Sequence, residues 1–269
     1  MKKLCLLGAL ALLVFSPAAF ANMAPSHWVV IPEVIWAEAS GGGTWVTSLQ
    51  VTAKAAATDI YINFFYQNSN VWRWVSFSSI TNAHQTLRWD NVLQSIGLVD
   101  TAFAYYGRVG TLLVYGQDDS HRIWAQALTT NGNYGKSFPS FVWTDTTNTA
   151  GAGRYMVIPG IQNTATFRTG CGFWNSSDDA TRVVRFYVMN PSSYLYLGTY
   201  FDKTFQPNGF MSFNPFIDSG LLSTNVPNSW LLIWQQSITG TESEGLFCFG
   251  SLANNYTNDT YTLIAQPFQ

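Results

Sequence analysis

Charge is scarce in this sequence. Of 269 residues only 10% are Asp, Glu, Lys or Arg, 13 basic against 15 acidic, where soluble domains usually carry roughly 25%. A net charge of -2 with no Lys/Arg cluster leaves nothing to neutralise phosphates, which excludes a basic nucleic-acid binder. Histidine and cysteine are equally sparse, at three each. No His-Glu-x-x-His helix, Gly-x-Ser-x-Gly elbow, phosphate-binding glycine loop or paired Cys-x-x-Cys occurs, so the common metal, acyl-transfer, nucleotide and redox centres have no signature. Beyond the N-terminus no stretch reaches ~18 uninterrupted apolar residues, so the mature chain is expected to lack a membrane span. What the sequence has in abundance is aromatic surface: 11 Trp, 13 Tyr and 19 Phe, which excludes a disordered chain.

The first residues read as an export signal. Lys2 and Lys3 precede an apolar core from Leu4 to Phe15, Ser16-Pro17 ends it, and Ala19-Phe20-Ala21 supplies a small-x-small cleavage site. The apolar run is too short to span a bilayer. Residues 1–21 are therefore expected to be removed, leaving a mildly acidic protein that is secreted, at the cell surface or in the periplasm.

The remainder repeats itself. Val30-Ile31-Pro32-Glu33-Val34 matches Val157-Ile158-Pro159-Gly160-Ile161, and Thr44-Trp45-Val46-Thr47 matches Thr166-Phe167-Arg168-Thr169. Ile60, Ile62 and Phe64 fall opposite Val184, Phe186 and Val188, and Trp89 to Ser95 opposite Phe213 to Ser219. Leu112 to Gln117 pairs with Leu231 to Gln236, and Phe138-Pro139 with Gln266-Pro267. These matches place a first repeat at 22–141, a linker at 142–154 and a second repeat at 155–269.

Each repeat is the size of one β-sandwich. Thr58 to Phe64, Val71 to Phe77 and Arg182 to Val188 alternate with period two, the pattern of half-buried strands, and Asn/Gly/Pro/Ser clusters punctuate them. Asn91 to Gly97 and Pro215 to Gly220 read as single helical turns. The expected fold is all-β: two tandem antiparallel immunoglobulin-like sandwiches related by internal duplication.

The alignment places Cys171 opposite Leu49 and Cys248 opposite Ala125, apolar positions that read as inward-facing. Strands so placed in immunoglobulin-like sandwiches face each other across the core. A Cys171–Cys248 disulfide is therefore expected, contributing roughly 4 kcal/mol by loop entropy, with two separate buried thiols as the alternative. His27, His84 and His121 read as solvated loop residues, and Asp118-Asp119 and Asp178-Asp179 as turn pairs; no metal and no cofactor is expected. Among the aromatics, Arg73 implies that Trp72 and Trp74 face inward. Leu195 and Leu197 should take the core and push Tyr194 and Tyr196 outward, which makes the two tyrosines the candidate ligand contacts. Asn175-Ser176-Ser177, Asn255-Tyr256-Thr257 and Asn258-Asp259-Thr260 fit the glycosylation acceptor pattern.

Val157-Ile158-Pro159, the stretch Phe167 to Ser177 with Ala180-Thr181, and Thr130 to Pro139 carry a resemblance to secreted bacterial proteins with tandem immunoglobulin-like sandwich repeats, most without an assigned activity. The resemblance implies the same fold and brings no catalytic residue. The functional expectation is a non-enzymatic extracellular protein with a structural, adhesive or assembly role, self-associating through sheet edges or contacting other extracellular proteins. The alternative is a carbohydrate-binding protein that uses exposed aromatic side chains on glycans.

Overall fold

The computed structural model describes residues 25–39, 42–69, 71–132, 134–139, 141–142, 155–240, 245–257 and 260–268. The expected signal and most of the expected linker lie outside these residues. Strands in the first half are Trp28–Glu38 (β1), Thr44–Ala53 (β2), Thr58–Tyr66 (β3), Trp72–Ile80 (β4), Thr86–Trp89 (β5), Arg108–Gly116 (β6), Ile123–Asn131 (β7), Tyr134–Pro139 (β8) and Phe141–Val142 (β9). The second half holds Tyr155–Asn163 (β10), Phe167–Asn175 (β11), Thr181–Met189 (β12), Tyr196–Phe205 (β13), Phe210–Phe213 (β14), Val226–Thr239 (β15), Leu246–Asn254 (β16), Thr260–Ile264 (β17) and Gln266–Phe268 (β18). Helix α1 (Val92–Val99) and the single turn α2 (Pro215–Asp218) stand where helical turns are expected. Asn91 and Asn214 cap them, and Ser95 and Ser219 donate back to the carbonyls of Asn91 and Pro215.

The protein is all-β, and its ladders are antiparallel. The second half is a sandwich of a five-stranded sheet, β13-β12-β15-β10-β18, on a four-stranded sheet, β14-β11-β16-β17. The first half has the same two orders, β4-β3-β6-β1-β9 and β5-β2-β7-β8, joined into one nine-stranded sheet where the end of β1 pairs with β2. Registers agree too. Val30 faces Leu113 as Val157 faces Leu232, and Phe64 faces Leu112 as Val188 faces Leu231. One expected match is corrected. Val30 pairs with Phe141 and Val157 with Gln266, so Phe141-Val142, and not Phe138-Pro139, is the counterpart of Gln266-Pro267. Val142 is thereby part of β9 and not of a linker.

The Val-Ile-Pro motif marks the bend at which each first strand changes its pairing. The β1–β6 register shifts between Ile31 and Val34, and the β10–β15 register between Pro159 and Ile161; proline has no N–H to contribute to a ladder, so it suits a bulge. Beyond each bend a buried threonine takes up freed backbone groups. Thr47 Oγ1 accepts from the Ile35 amide at 2.8 Å, and Thr169 Oγ1 accepts from the Gln162 amide at 2.8 Å and donates to the Gln162 carbonyl at 2.9 Å.

The two sandwiches are not independent beads. Trp174, Phe210, Phe247 and Phe249 belong to the same buried cluster as Val30, Leu113, Phe65 and Phe138 of the first half. The outer face of the four-stranded sheet thus lies on the first half, with Phe65 against Trp174 at 4.6 Å, Phe141 against Phe247 at 5.0 Å and Phe138 against Phe249 at 6.0 Å between ring centroids. Five consecutive residues of β16, Leu246 to Gly250, are buried because both faces of that strand are covered. Gly172 makes room for this contact: a Cβ there would sit 2.1 Å from the Phe249 ring. Polar bonds seal the rim, with Gln67 Nε2 donating to the Ser212 carbonyl, Ser212 Oγ to Gln67 Oε1, and Thr262 Oγ1 to the Ser137 carbonyl.

The cysteine expectation is corrected. Cys171 and Cys248 are buried free thiols on neighbouring strands of one sheet and do not face each other across the core. Cys171 stands opposite Gly250 and Cys248 opposite Phe173. They are diagonal neighbours, at a spacing typically wider than a disulfide spans, and burial pushes both thiols well above the usual range. Asn175, Ser176 and Ser177 are also buried, with Asn175 Nδ2 donating to the Ala180 and Gln206 carbonyls, so this acceptor motif is closed to modification in the folded chain.

Replacing Thr47 or Thr169 by valine keeps the shape and strands a buried amide. Each variant is expected to lose about 1–3 kcal/mol in urea unfolding; an unchanged midpoint for both would show that the bends do not need the hydroxyls.

Candidate functional site

The equivalent strands β4 and β13 form the outer edges of the equivalent sheets, and both carry exposed aromatic side chains. On β4 these are Trp72 and Trp74, which reverses the inward orientation expected from the sequence. Arg73 is the residue that turns in. Its guanidinium makes two 2.7 Å bonds to the Asp100 carboxylate at the end of α1, and Tyr105 donates to the same carboxylate at 2.8 Å. Burial pushes the Asp100 carboxyl up, but the bonds from Arg73 and Tyr105 outweigh it and hold the group below its ordinary value. Burial, then the bond to Asp100, raises the Tyr105 phenol.

Trp74 ends a row of rings on the outer face of the first half. From His27 to Trp28 the centroids are 5.0 Å apart, from Trp28 to Tyr115 4.1 Å, from Tyr115 to Tyr61 5.5 Å and from Tyr61 to Trp74 5.9 Å. The last three contacts are near-parallel stacks, and Trp74 Nε1 donates to Tyr115 Oη at 2.7 Å. Rings stacked in this way cover one another's faces and present their edges, so within the row they brace the sheet. His27 is held at its end by the Asp119 carboxylate and the Gly116 carbonyl, and His121 is held by Asp118. Both imidazoles are largely covered, which corrects the expectation of solvated side chains for His27 and His121, while His84 is exposed as expected.

The second half differs. Tyr155 and Trp234 occupy the places of Trp28 and Tyr115, 5.8 Å apart. Arg185 replaces Tyr61, stacks 4.1 Å over the Tyr200 ring and bonds both oxygens of Asp202 at 2.8 and 2.9 Å. That bond holds the Asp202 carboxyl low. Tyr194 and Tyr196 are 64% and 60% exposed, as expected, but Leu195 is 66% exposed and does not take the core; only Leu197 packs on it. The Asn190–Leu195 turn sets this arrangement. Asn190 exchanges backbone bonds with Tyr194 and Leu195, its side chain accepts from Ser192, and Tyr194 sits at φ +58, a backbone region uncommon for a bulky residue. Tyr194 meets Trp230 edge-on at 5.8 Å, and Tyr196 leans on Tyr187 at 6.1 Å.

The turn-and-edge patch therefore offers Tyr194, Leu195 and Tyr196 together. The adjacent charges are balanced: Asp202 by Arg185, and Lys203 by Asp218 at 3.0 Å. The sequence signalled the tyrosines by same-face spacing. It carried no signal for Trp74 as an exposed ring, because its orientation follows from the Arg73–Asp100 pair. Among the described residues no helix is long and apolar enough to cross a membrane, and no three His, Cys, Asp or Glu side chains converge as a metal site.

Comparisons add no identity. No family model and no curated protein matches the chain. Among solved structures, the infectious bursal disease virus VP2 subviral particle aligns over 90% of this chain and 71% of its own, at 13% identity and a TM-score of 0.22. A Bacteroides uniformis beta-glucuronidase 2 aligns over 93% and 27%, at 9% identity and a TM-score of 0.15. Neither likeness carries an argument about fold or role.

Because the Asp100 carboxyl is depressed, the stability it contributes is present above the ordinary carboxylate range and falls away as pH drops through and below ~4. Asp100→Asn is expected to cost about 1 kcal/mol at neutral pH and to flatten the acid side of the stability profile. Urea midpoints at neutral and acid pH check this, and parallel profiles for both proteins would count against the assignment.

Proposed function

We propose that this is a non-catalytic extracellular protein with an adhesive or assembly role, acting through the edge strands β4 of the nine-stranded sheet and β13 of the five-stranded sheet. One observation carries the reading: equivalent edge strands, β4 and β13, both present exposed aromatic side chains beside charges that are already paired. An edge strand offers unpaired N–H and C=O groups, and repulsive charge is one of its ordinary defences. Here that defence is weak, and strand addition supplies a mode of contact. Extracellular location is supported by the N-terminal sequence. The matching strand orders and registers support descent by internal duplication.

Light scattering of the purified protein over a concentration series tests this reading. The expected result is reversible association that Tyr194→Ser, Leu195→Ser and Tyr196→Ser together abolish. A strict monomer at every concentration, with no extracellular protein partner, would overturn it.

A second reading, carbohydrate binding, is favoured by the open rings of Tyr194 and Tyr196, which do not stack parallel on a neighbour. A glycan array is expected to show binding that Tyr194→Ala and Tyr196→Ala remove; an empty array would eliminate this alternative.

A further inference from the structure

The contact between the halves has an equivalent place in the second half. In the first half Val30, Leu113 and Phe65 lie on the outer face of the five-stranded limb, buried with Trp174, Phe210 and Phe247 of the second. The ladder registers put Val157, Leu232 and Met189 at the same three points of the second half's five-stranded sheet. Their chain neighbours Ile158, Leu231 and Val188 point into that half's own core. Among the described residues nothing equivalent to Trp174, Phe210 and Phe247 lies on the three, which stand outside both buried clusters. Leu232 and Met189 are half-buried, and Val157, flanked by Leu232 and Gln266, is 9% exposed.

The rest of this face is aromatic. Tyr155, Tyr187, Trp230 and Trp234 surround the three, and exposed rings border them, Tyr196 and Tyr200 on edge strand β13 and Phe268 on edge strand β18. Ring contacts run from one edge to the other: Tyr200 to Tyr187 at 5.9 Å, Tyr194 to Trp230 at 5.8 Å and Trp230 to Phe268 at 6.2 Å between centroids. Its charges, Arg185 and Asp202, are paired with each other. Strands β13, β12, β15 and β10 have nine or more residues each. At about 4.8 Å per strand and about 3.3 Å per residue they span about 600 Å². Two such faces together bury about 1,200 Å², the lower end of what a stable, specific interface needs, and an exposed apolar patch of this size marks an interaction site.

We infer that a second copy of this chain covers this face, in a two-fold dimer with sheet packed on sheet. The inference rests on the self-association proposed above; it moves the centre of contact from the edge strand to the face beside it, with Tyr194 and Tyr196 as the rim. Head-to-tail stacking, in which the next copy's first half would repeat the internal contact, lacks the side chains. The first half's four-stranded limb holds Gln50, Thr52 and Gln126 where the second half's sheet holds Gly172, Trp174 and Phe249. A two-fold contact needs only a self-complementary patch. An aromatic face whose one ion pair is internal meets that condition without stranding a charge. Leu232, on the central strand β15, falls near the axis, and the two sheets lie about 10 Å apart.

Sedimentation velocity of the purified protein from about 1 to about 200 μM tests the inference. A reversible monomer–dimer equilibrium is expected. Leu232→Lys and, separately, Met189→Lys set an unpaired charge on the face, and each should weaken the dimer about tenfold or more with far-UV circular dichroism unchanged. Two positions are used so that a fold defect in one variant leaves the other to decide. Leu128→Lys, on the exposed outer face of the first half's four-stranded limb, should dimerise like the parent protein. Association lost in Leu128→Lys would mean head-to-tail stacking and overturn the inference. Association that both folded face variants keep, but that Tyr194→Ser, Leu195→Ser and Tyr196→Ser together abolish, would overturn it and leave the edge reading standing. A monomer at every concentration would overturn it as well, while the edge reading would then stand or fall on an extracellular protein partner.

Discussion

The architecture rests on one contact, the outer face of the second half's four-stranded sheet buried against the first half. Trp174, Phe247 and Phe249 supply it, and Gly172 permits it by letting the Phe249 ring lie close over the backbone. An ordinary sandwich leaves the outer faces of its sheets to solvent. Here one outer face from each half is withdrawn from water. This arrangement sets which sheet faces remain: the far part of the first half's five-stranded limb, the outer face of its four-stranded limb, and the outer face of the second half's five-stranded sheet.

That division explains the low charge in physical terms. A sandwich with two wet faces needs polar residues on alternate positions of nearly every strand. In β11 and β16 the alternate positions that meet the first half, Gly172, Trp174, Phe247 and Phe249, are apolar or glycine because that part of the sheet has protein on both sides. Where the outer faces are wet, aromatic rings and internally balanced ion pairs such as Arg185–Asp202 occupy them.

Much of the fold was legible in the chain. Period-two alternation located β3 and β12, the Val-Ile-Pro recurrence aligned the first strands of the two halves, and the helical turns were read from Asn91 to Gly97 and Pro215 to Gly220. The misreadings have a common cause. Alternation divides a strand into two faces without saying which one meets the core, and for β4 that choice is made by Asp100, 27 residues away from Arg73. The cysteines were read correctly as inward-facing, since Leu49 and Ala125 are their register counterparts. Their strands, however, are laterally hydrogen-bonded, a relation that burial cannot reveal. The cleft between the halves, lined by Lys136, Ser251 and Thr260, was invisible because these residues belong to different halves. The one available hint of the buried outer face was the uninterrupted apolar run Leu246 to Phe249, too continuous for a strand with one wet side.

The same covered face has a consequence for the order in which the molecule assembles. In each half the first strand needs partners that come late in that half: β1 pairs with β6 and β9 besides β2, and β10 with β15 and β18. Neither half can close until its last strand has been delivered, and such non-local pairing folds slowly. When the first half does close, Val30, Phe65 and Leu113 still await Trp174, Phe210 and Phe247. A nascent or truncated first half therefore carries a sticky apolar surface, and maturation is a race between completing the second sandwich and capture of that surface by something else.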